Sequence, residues 1–494
     1  MIVFSFLSFL VLMTGIGVYS SKRSLKTTKD YILADRSIGP IPTALSAVST
    51  CHSGFMFIGM IGFTYLYGLS AIWLIVAWLI GDFFAWLFVH TPLREKTEAL
   101  NTHTISGFIA HHFSGHKRQV IQKTSAIFII VFLSVYAVAQ LTAGSKALSV
   151  MIGLPHVIGI AVGAVIVTAY SFAGGIRASI WTDVAQSIVM IVSMVGLFVL
   201  ALYKTNGIVG LFSSLHQIDP HLTQWLPEDT HYGFPLYLLG WIAFGFGVLG
   251  QPHIMTRPMS ISNSNHLKVA RRFYFTWYLT FSLASLGVGL TARVLLPELA
   301  ASDTELALPI LATQLLPSIL VGGILAGLFS ATISTADSQI LTCSAALTQD
   351  LFPKWKEHFL LSKIMTLVTM IGVVFVALFG SKSVYVLVIL AWSGLAVVLG
   401  PLILCNCLNI RLGYKTSLSM MLASFLTIVM WTQWLNLSNH VNEVFPGFLV
   451  ALIIFISSRL YNAKKAWTSS KDKSPSYNLE GSAKEGRPSD CRLI

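Results

Sequence analysis

Charge is what this sequence has least of. Only 11% of its 494 residues are Asp, Glu, Lys or Arg, where a soluble chain carries about a quarter. That excludes an ordinary water-soluble globular protein. Cysteine is scarce as well: Cys51, Cys343, Cys405, Cys407 and Cys491, most of them inside apolar runs. Neither a disulfide framework nor a zinc-ligand spacing can be read from them. The first apolar stretch has no charged segment before it and no small-residue cleavage site after it, so it reads as a retained helix rather than a signal peptide. No linker-like stretch divides the chain, so no second domain is expected.

Hydrophobic residues make up 55% of the chain. Apolar runs of about 20 residues, the length that crosses a bilayer as a helix, recur along it. The expectation is an all-α polytopic membrane protein of about thirteen transmembrane helices. They fall at 2–20, 40–64, 69–90, 122–149, 154–173, 180–203, 233–253, 273–296, 309–345, 360–380, 384–407, 416–434 and 445–461. The fourth and ninth are long enough to tilt or to project from the bilayer. The transmembrane domain thus covers residues 1–461, and the polar stretch 462–494 is expected to be a disordered tail.

A net charge of +12 could suggest a nucleic-acid partner, but its placement argues for a lipid bilayer. With Met1 outside, alternating the spans puts 28 of the 32 Lys and Arg residues on one side, Arg257 among them. Only Lys146, Lys204, Arg293 and Lys382 fall elsewhere. That asymmetry is the positive-inside rule. It puts the N-terminus outside and the C-terminus in the cytoplasm.

Two spans look interrupted. One is "ALSAVSTCHSGFMFIG" at 44–59, the other "WIAFGFGVLGQPH" at 241–253. After one leading helix (2–20), each opens a five-helix half, about 40–203 and about 233–407, with two trailing helices at 416–461. Broken helices at matching positions in two halves point to an inverted-repeat transporter, whose freed backbone groups hold an ion and a solute. The ninth span adds "FSATISTADSQIL", in which seven of thirteen side chains are polar. Single hydroxyls in a helix usually bond back to their own carbonyls. Six hydroxyl or acid groups in nine residues (330–338) suggest oxygen ligands for a dehydrated cation, and hydroxyls with carbonyls suit Na⁺ better than Ca²⁺. Asp183, Asp337 and Asp82 are ionisable groups within spans, each a candidate for function.

Other classes fit less well. Cys51 and His52 are adjacent, so on a helix they point about 100° apart and form no nucleophile–base dyad. No enzyme is expected. The loop "HTISGFIAHHFSGHKR" brings His112 and His116 within one helical turn, with no Cys or acid to complete a metal site. A passive channel would not need a hydroxyl ion site beside an aromatic-walled cavity. A transporter-like membrane sensor would normally carry an appended signalling domain.

Four stretches together carry a resemblance: "DYILADRSIGPIPTALSAVSTCHSGF", "YSFAGGIRASIWTDVAQ", "FGVLGQPHIMTRPMS" and "GILAGLFSATISTADSQILTCSAALTQDLF". The chain resembles the sodium:solute symporter family over about 1–461, most of all its sodium/proline branch. The resemblance implies a LeuT-like 5+5 inverted repeat and Na⁺-coupled import of a small solute, proline first, by alternating access. Another amino acid or small organic acid, driven by Na⁺ or H⁺, is the alternative. It also implies a monomer in the bacterial inner (plasma) membrane.

Carried over residue by residue, the resemblance assigns a Na⁺ site to the carbonyls of Ser49, His52 and Ala331 and the hydroxyls of Ser334 and Thr335. A second cation site of some members falls on Asp183, Asp337 and Ser338, beside Ser334. The substrate cavity falls on Cys51, Phe55 and Met56, on Tyr136 and Gln140, on Trp241, Phe244, Val248 and Pro252, and on Trp392. The proline branch carries an acid at Cys51, tryptophans at Phe55 and Phe244 and a tyrosine at Val248, and a hydroxyl is common at Asp337.

Overall fold

A computed structural model describes residues 1–471 except 22–24, 26, 228, 229, 231 and 439. Residues 472–494, most of the expected tail, lie outside the described residues, as do the loop charges Lys22, Arg23 and Lys26. Helices stand at all thirteen expected segments. They are α1 (Ile2–Ser21), α2 (Pro40–Cys51, Gly54–Phe57 and Gly59–Tyr67), α3 (Ile72–Phe84, running on through His90–Ala99) and α4 (Gly115–Ile152). Then come α5 (156–174) and α6 (Gly175–Lys204), and α7 (Phe234–Phe246, Gly247–Gly250 and Pro252–Ser260). The series closes with α8 (Leu267–Leu295), α9 (Ser318–Ala345), α10 (Phe359–Phe379), α11 (Val384–Cys407), α12 (Tyr414–Val429) and α13 (Val444–Lys471).

Among the described residues, eight helical stretches are long and apolar enough to cross a membrane, and the two arms of α7 make a ninth. One of the eight, Gly54–Ala99, holds the second half of α2 together with α3. The chain is a multi-pass membrane protein. Burial sorts the spans into a centre and a rim. In the most apolar window of α9, 83% of residues are buried inside the protein, against 28% for α10 and 17% for α13. The polar ninth span is therefore the axis of the bundle, and α10 and α13 present their apolar faces to lipid.

Both expected interruptions are present. The first arm of α2 ends at Cys51, and Ser53 is extended and caps the next piece, its hydroxyl accepting from Phe55 N at 3.2 Å. In α7 the chain bends 54° at Gln251, where Pro252 opens the second arm. Proline at that position lacks only an amide that a helix start leaves unpaired anyway.

The structure corrects four boundaries. The long ninth span is two helices: Ala307–Leu315 stands apart, because Leu316 before Pro317 is extended and proline disfavours helix in the residue preceding it. The loop expected between α5 and α6 shrinks to one residue, Gly175, at φ 58°. A Cβ there would come within 2.6 Å of the Tyr31 main chain, so only glycine fits. The stretch after α6, expected to be an external loop, contains a helix, Gly207–Ile218. Residues 462–471, read as the start of a tail, continue α13.

Three of the basic residues that gave the charge asymmetry fasten helix ends on that side. Arg36 donates to Met259 O at 2.8 Å and Arg94 to Ile261 O at 2.7 Å. Lys96 donates to Asn406 O and Cys407 O, both at 2.7 Å, at the C-terminal end of α11, where a cation offsets the helix dipole. At the other side Glu305 pairs with Lys146 at 2.7 Å and accepts from the amides of Val384 and Tyr385 at the start of α11.

Candidate functional site

The first arm of α2 ends where α9 is most polar. Ser334 Oγ lies 3.2 Å from both the Ser49 and the Ala331 carbonyl oxygens, and Thr335 Oγ1 donates to Thr50 O at 3.0 Å. Helix breakage makes this possible, since carbonyls near the end of an arm are free of the next turn's amides. Ser49, Ala331, Ser334 and Thr335 are thus brought together, joined by Thr50, which the sequence reading omitted. The Thr50 hydroxyl is buried without a partner. The result is a cluster of hydroxyl and carbonyl oxygens, a donor set that suits a dehydrated monovalent cation. The His52 side chain turns elsewhere, into an aromatic cage of Trp277, Tyr278 and Phe281.

The other hydroxyls of the segment turn back on their own helix. Ser330 donates to Ala326 O at 2.8 Å and Thr332 to Phe329 O at 3.1 Å. Position along the helix alone does not separate the two groups. Only the packing of α2 against α9 does.

Asp183, Asp337 and Ser338 also meet, but around a guanidinium. Arg257, counted from sequence as a loop charge, is fully buried. It lies 3.2 Å from Asp183 Oδ2 and donates to Ser46 Oγ at 3.1 Å, to Ser179 Oγ at 3.3 Å and to Ser338 Oγ. Its remaining donors go to His253 O at 2.7 Å and Thr256 Oγ1 at 3.2 Å. Asp337 Oδ1 accepts from Ser179 at 3.1 Å and Ser338 at 3.0 Å. Where the second cation site was expected, the second arm of α7 thus places a guanidinium against Asp183 and Ser338, while Asp183 Oδ1 and Asp337 Oδ2 stay buried without partners.

The expected cavity residues form two groups. Phe55, Trp241, Phe244 and Trp392 build an aromatic block around Trp78, with ring centroids 4.7 Å apart for Trp78–Trp392 and 5.7 Å for Trp78–Phe244. Trp78 was missed, and its buried indole N–H has no partner. Val248 is buried, and its carbonyl accepts from Gln251 N at 3.1 Å. The second group is polar. Gln140 Oε1 accepts from Gly54 N at 2.9 Å, and Tyr136 OH stands 3.4 Å from Ser53 Oγ and packs edge-on to His253. Gln140 Nε2, Gln251 Oε1 and both ring nitrogens of His253 are buried without partners. Such orphaned groups are rare in folded proteins, and these lie at the two helix breaks and on the facing turn of α4. Met56 meets the site less directly, its carbonyl accepting from Ser285 at 2.8 Å. Pro252 lines a small pocket, with His103, Thr104, Thr256 and Asp350, at the side the charge rule assigns to the cytoplasm.

Cys51 faces a third feature. Its thiol is 4.0 Å from Asp82 Oδ2, which also accepts from Tyr274 OH at 2.7 Å. From sequence Asp82 had no partner. Its partners come from α2 and α8, so only the fold supplies them. His112 and His116, proposed to share a helix face, are separated by the turn before Gly115, and among the described residues no three His, Cys, Asp or Glu side chains form a metal-holding group.

The model of the sodium:solute symporter family matches residues 31–423. The chain belongs to this family. Its relatives include the sodium/proline symporters of several Staphylococcus aureus strains, 32% identical over 473 residues, 92% of this chain and 91% of theirs. Its architecture is similar to that of a Na⁺-coupled sialic acid symporter in a substrate-bound outward-open state (TM-score 0.76, 18% identity, 93% of this chain and 97% of that one). It is also similar to Mhp1, a nucleobase-cation-symport-1 family transporter (TM-score 0.56, 15% identity, 88% and 95%). The fold is the LeuT fold that the resemblance implied, with both broken helices in place. The symporter is a sodium-coupled transporter of a small solute.

Proposed function

We propose that the symporter imports proline together with Na⁺ by alternating access. The observation that carries this reading is the clasp of Ser334 and Thr335 on the Ser49 and Thr50 carbonyls. Na⁺ entering from outside would be held by these carbonyl and hydroxyl oxygens, the hydroxyls keeping their protons and turning them away from the ion, and would tie the first arm of α2 to α9. The partnerless polar atoms of Gln140, Gln251 and His253 would receive the polar end of the solute, and the aromatic block around Trp78 its apolar body. Closure of the aromatic side and opening of the cavity at Pro252 would then release both into the cytoplasm. The N-terminus lies outside, the C-terminus inside, the membrane is the bacterial inner membrane, and the working unit is the monomer.

One observation favours a solute other than proline. The carboxylate near the first break belongs to Asp82 on α3, not to position 51, and Phe55 and Val248 reshape the wall. Uptake of a panel of labelled amino acids and organic acids into proteoliposomes, with and without a sodium gradient, tests both readings. Proline uptake that collapses without sodium supports the first. Sodium-driven uptake of another solute with proline inert supports the second, and uptake indifferent to sodium overturns both.

A further inference from the structure

The small pocket beyond the second helix break continues the face of α9 that carries the clasp. Pro252 and Thr256, on the second arm of α7, line it on one side. Leu341 and Ala345 of α9 line it on another. These two follow Ser334 by seven and eleven positions, so they share its helix face, about 10 and 16 Å further along the axis. α9 then runs into a π-helical turn, Ala346–Leu351, which carries Asp350 to the pocket. Among the described residues that line the pocket, Asp350 is the one acid, and no Lys or Arg is present. Burial pushes the pKa of His103 down to about 4, so its ring adds no positive charge at neutral pH.

Asp350 is held in place but not satisfied. Its Oδ1 accepts from Gln122 Nε2 at 2.7 Å and from Thr104 Oγ1 at 2.8 Å, which fixes the carboxyl group between α4 and the helix Ile105–Ala110. Its Oδ2 is buried without a partner. Ser106 faces the same carboxyl group, and its buried hydroxyl has no hydrogen-bond partner either. Such neighbouring open oxygens are uncommon in a folded protein. A carboxylate with hydroxyls is a donor set for a hard cation. With a single acid it holds a monovalent ion weakly, and an ion in transit must be able to leave.

We infer that Asp350 and Ser106 form a release site for Na⁺, a weak cation site that the ion occupies between leaving the clasp and entering the cytoplasm. This rests on the proposed clasp and on import. The test is the melting temperature of the purified full chain in detergent, in sodium chloride against N-methylglucamine chloride at equal ionic strength. It needs no knowledge of the solute, and a stability change common to both salts cancels. An ion that binds the folded state raises the melting temperature as it saturates its site. The wild type should show a sodium-dependent rise. Ser334→Ala with Thr335→Ala, which weakens the clasp, should keep part of that rise. Adding Asp350→Asn should abolish what remains, since asparagine can still accept from Thr104 and Gln122 but puts an N–H donor in place of Oδ2. Ser106→Ala on the same background should raise the sodium concentration for half of the remaining rise about tenfold, and it decides the question should Asp350→Asn not fold. A clasp variant with no sodium-dependent rise would overturn the inference and leave the clasp intact. A remaining rise indifferent to Asp350→Asn or to Ser106→Ala, or matched by potassium chloride, would also overturn it. Equal rises in the wild type and the clasp variant, lost with Asp350→Asn, would instead remove the clasp and keep the Asp350 site.

Discussion

Ser334→Ala and Ser330→Ala differ by four positions on one face of α9, yet they should behave differently. Both hydroxyls are buried. Ser330 bonds to Ala326 O in its own helix, and that carbonyl keeps its helical amide when the hydroxyl is removed. Ser334 sits between the Ser49 and Ala331 carbonyls at 3.2 Å from each. If it ligates Na⁺, its loss removes one interaction with a charged group, worth about 1.5–3 kcal/mol. Since about 1.4 kcal/mol is a factor of ten, the sodium concentration for half-maximal uptake should rise roughly ten- to a hundredfold. Thr335→Ala should do the same, through its contact with Thr50 O. Ser330→Ala should shift it by less than about twofold, as expected for a hydroxyl whose loss is worth a few tenths of a kcal/mol. The assay is initial-rate uptake in proteoliposomes across a sodium series, normalised to reconstituted protein. Equal shifts for Ser330→Ala and Ser334→Ala, or none for both Ser334→Ala and Thr335→Ala, would refute the division of this segment into self-bonded and ion-facing hydroxyls.

Four further outcomes are expected. A methyl at Gly81 would lie 2.1 Å from the Gly245 main chain, and one at Gly245 2.0 Å from Ala77 O, so either Ala substitution should cost about 1–3 kcal/mol by overpacking. A lowered melting temperature in detergent reads this out, and the double variant should cost less than the two singles added, because both push on one helix crossing. Tyr274→Phe removes a 2.7 Å bond to the buried Asp82 and should destabilise the protein by about 1.5–3 kcal/mol. Asp82→Asn should keep the shape of the site yet reduce uptake at unchanged membrane abundance, and undiminished uptake would exclude Asp82 from the transport site. Glu305→Ala should lower thermal stability by about 3 kcal/mol, because it leaves Lys146 with only Asp303 and uncaps α11. An unchanged melting temperature would refute that.

The fold was largely legible because a bilayer leaves a chain few options. Apolar runs of spanning length must be helices, and their charge asymmetry orients them. The breaks in α2 and α7 were legible from clustered Ser and Gly and from Pro252, local features that a helix cannot absorb. Errors arose where local pattern underdetermines geometry. Leu316–Pro317 reads as apolar helix until the residue before proline is recognised as extended, and Gly175 permits an abrupt turn where a loop was expected. In the candidate site, the reading found residues whose polarity is conspicuous in an apolar run. It missed Trp78, which resembles any interfacial tryptophan, and Gln251 and His253, which read as a motif without roles.

By itself, then, the sequence determined that this is a helical membrane protein with two broken helices and a polar ninth span, since period, length and polarity are local properties. Tertiary structure alone decided that Thr50 joins Ser334 and Thr335 at the end of the first arm of α2, that Tyr274 and Cys51 accompany Asp82, and that Arg257 lies between Asp183 and Ser338. These are contacts between residues tens to hundreds of positions apart in the chain. Their energies depend on distances of a few ångströms across packed helices, which no local pattern encodes. Arg257 makes the difference plain: by composition it is one more cytoplasmic charge, and by packing it is a buried cation at the centre of the symporter.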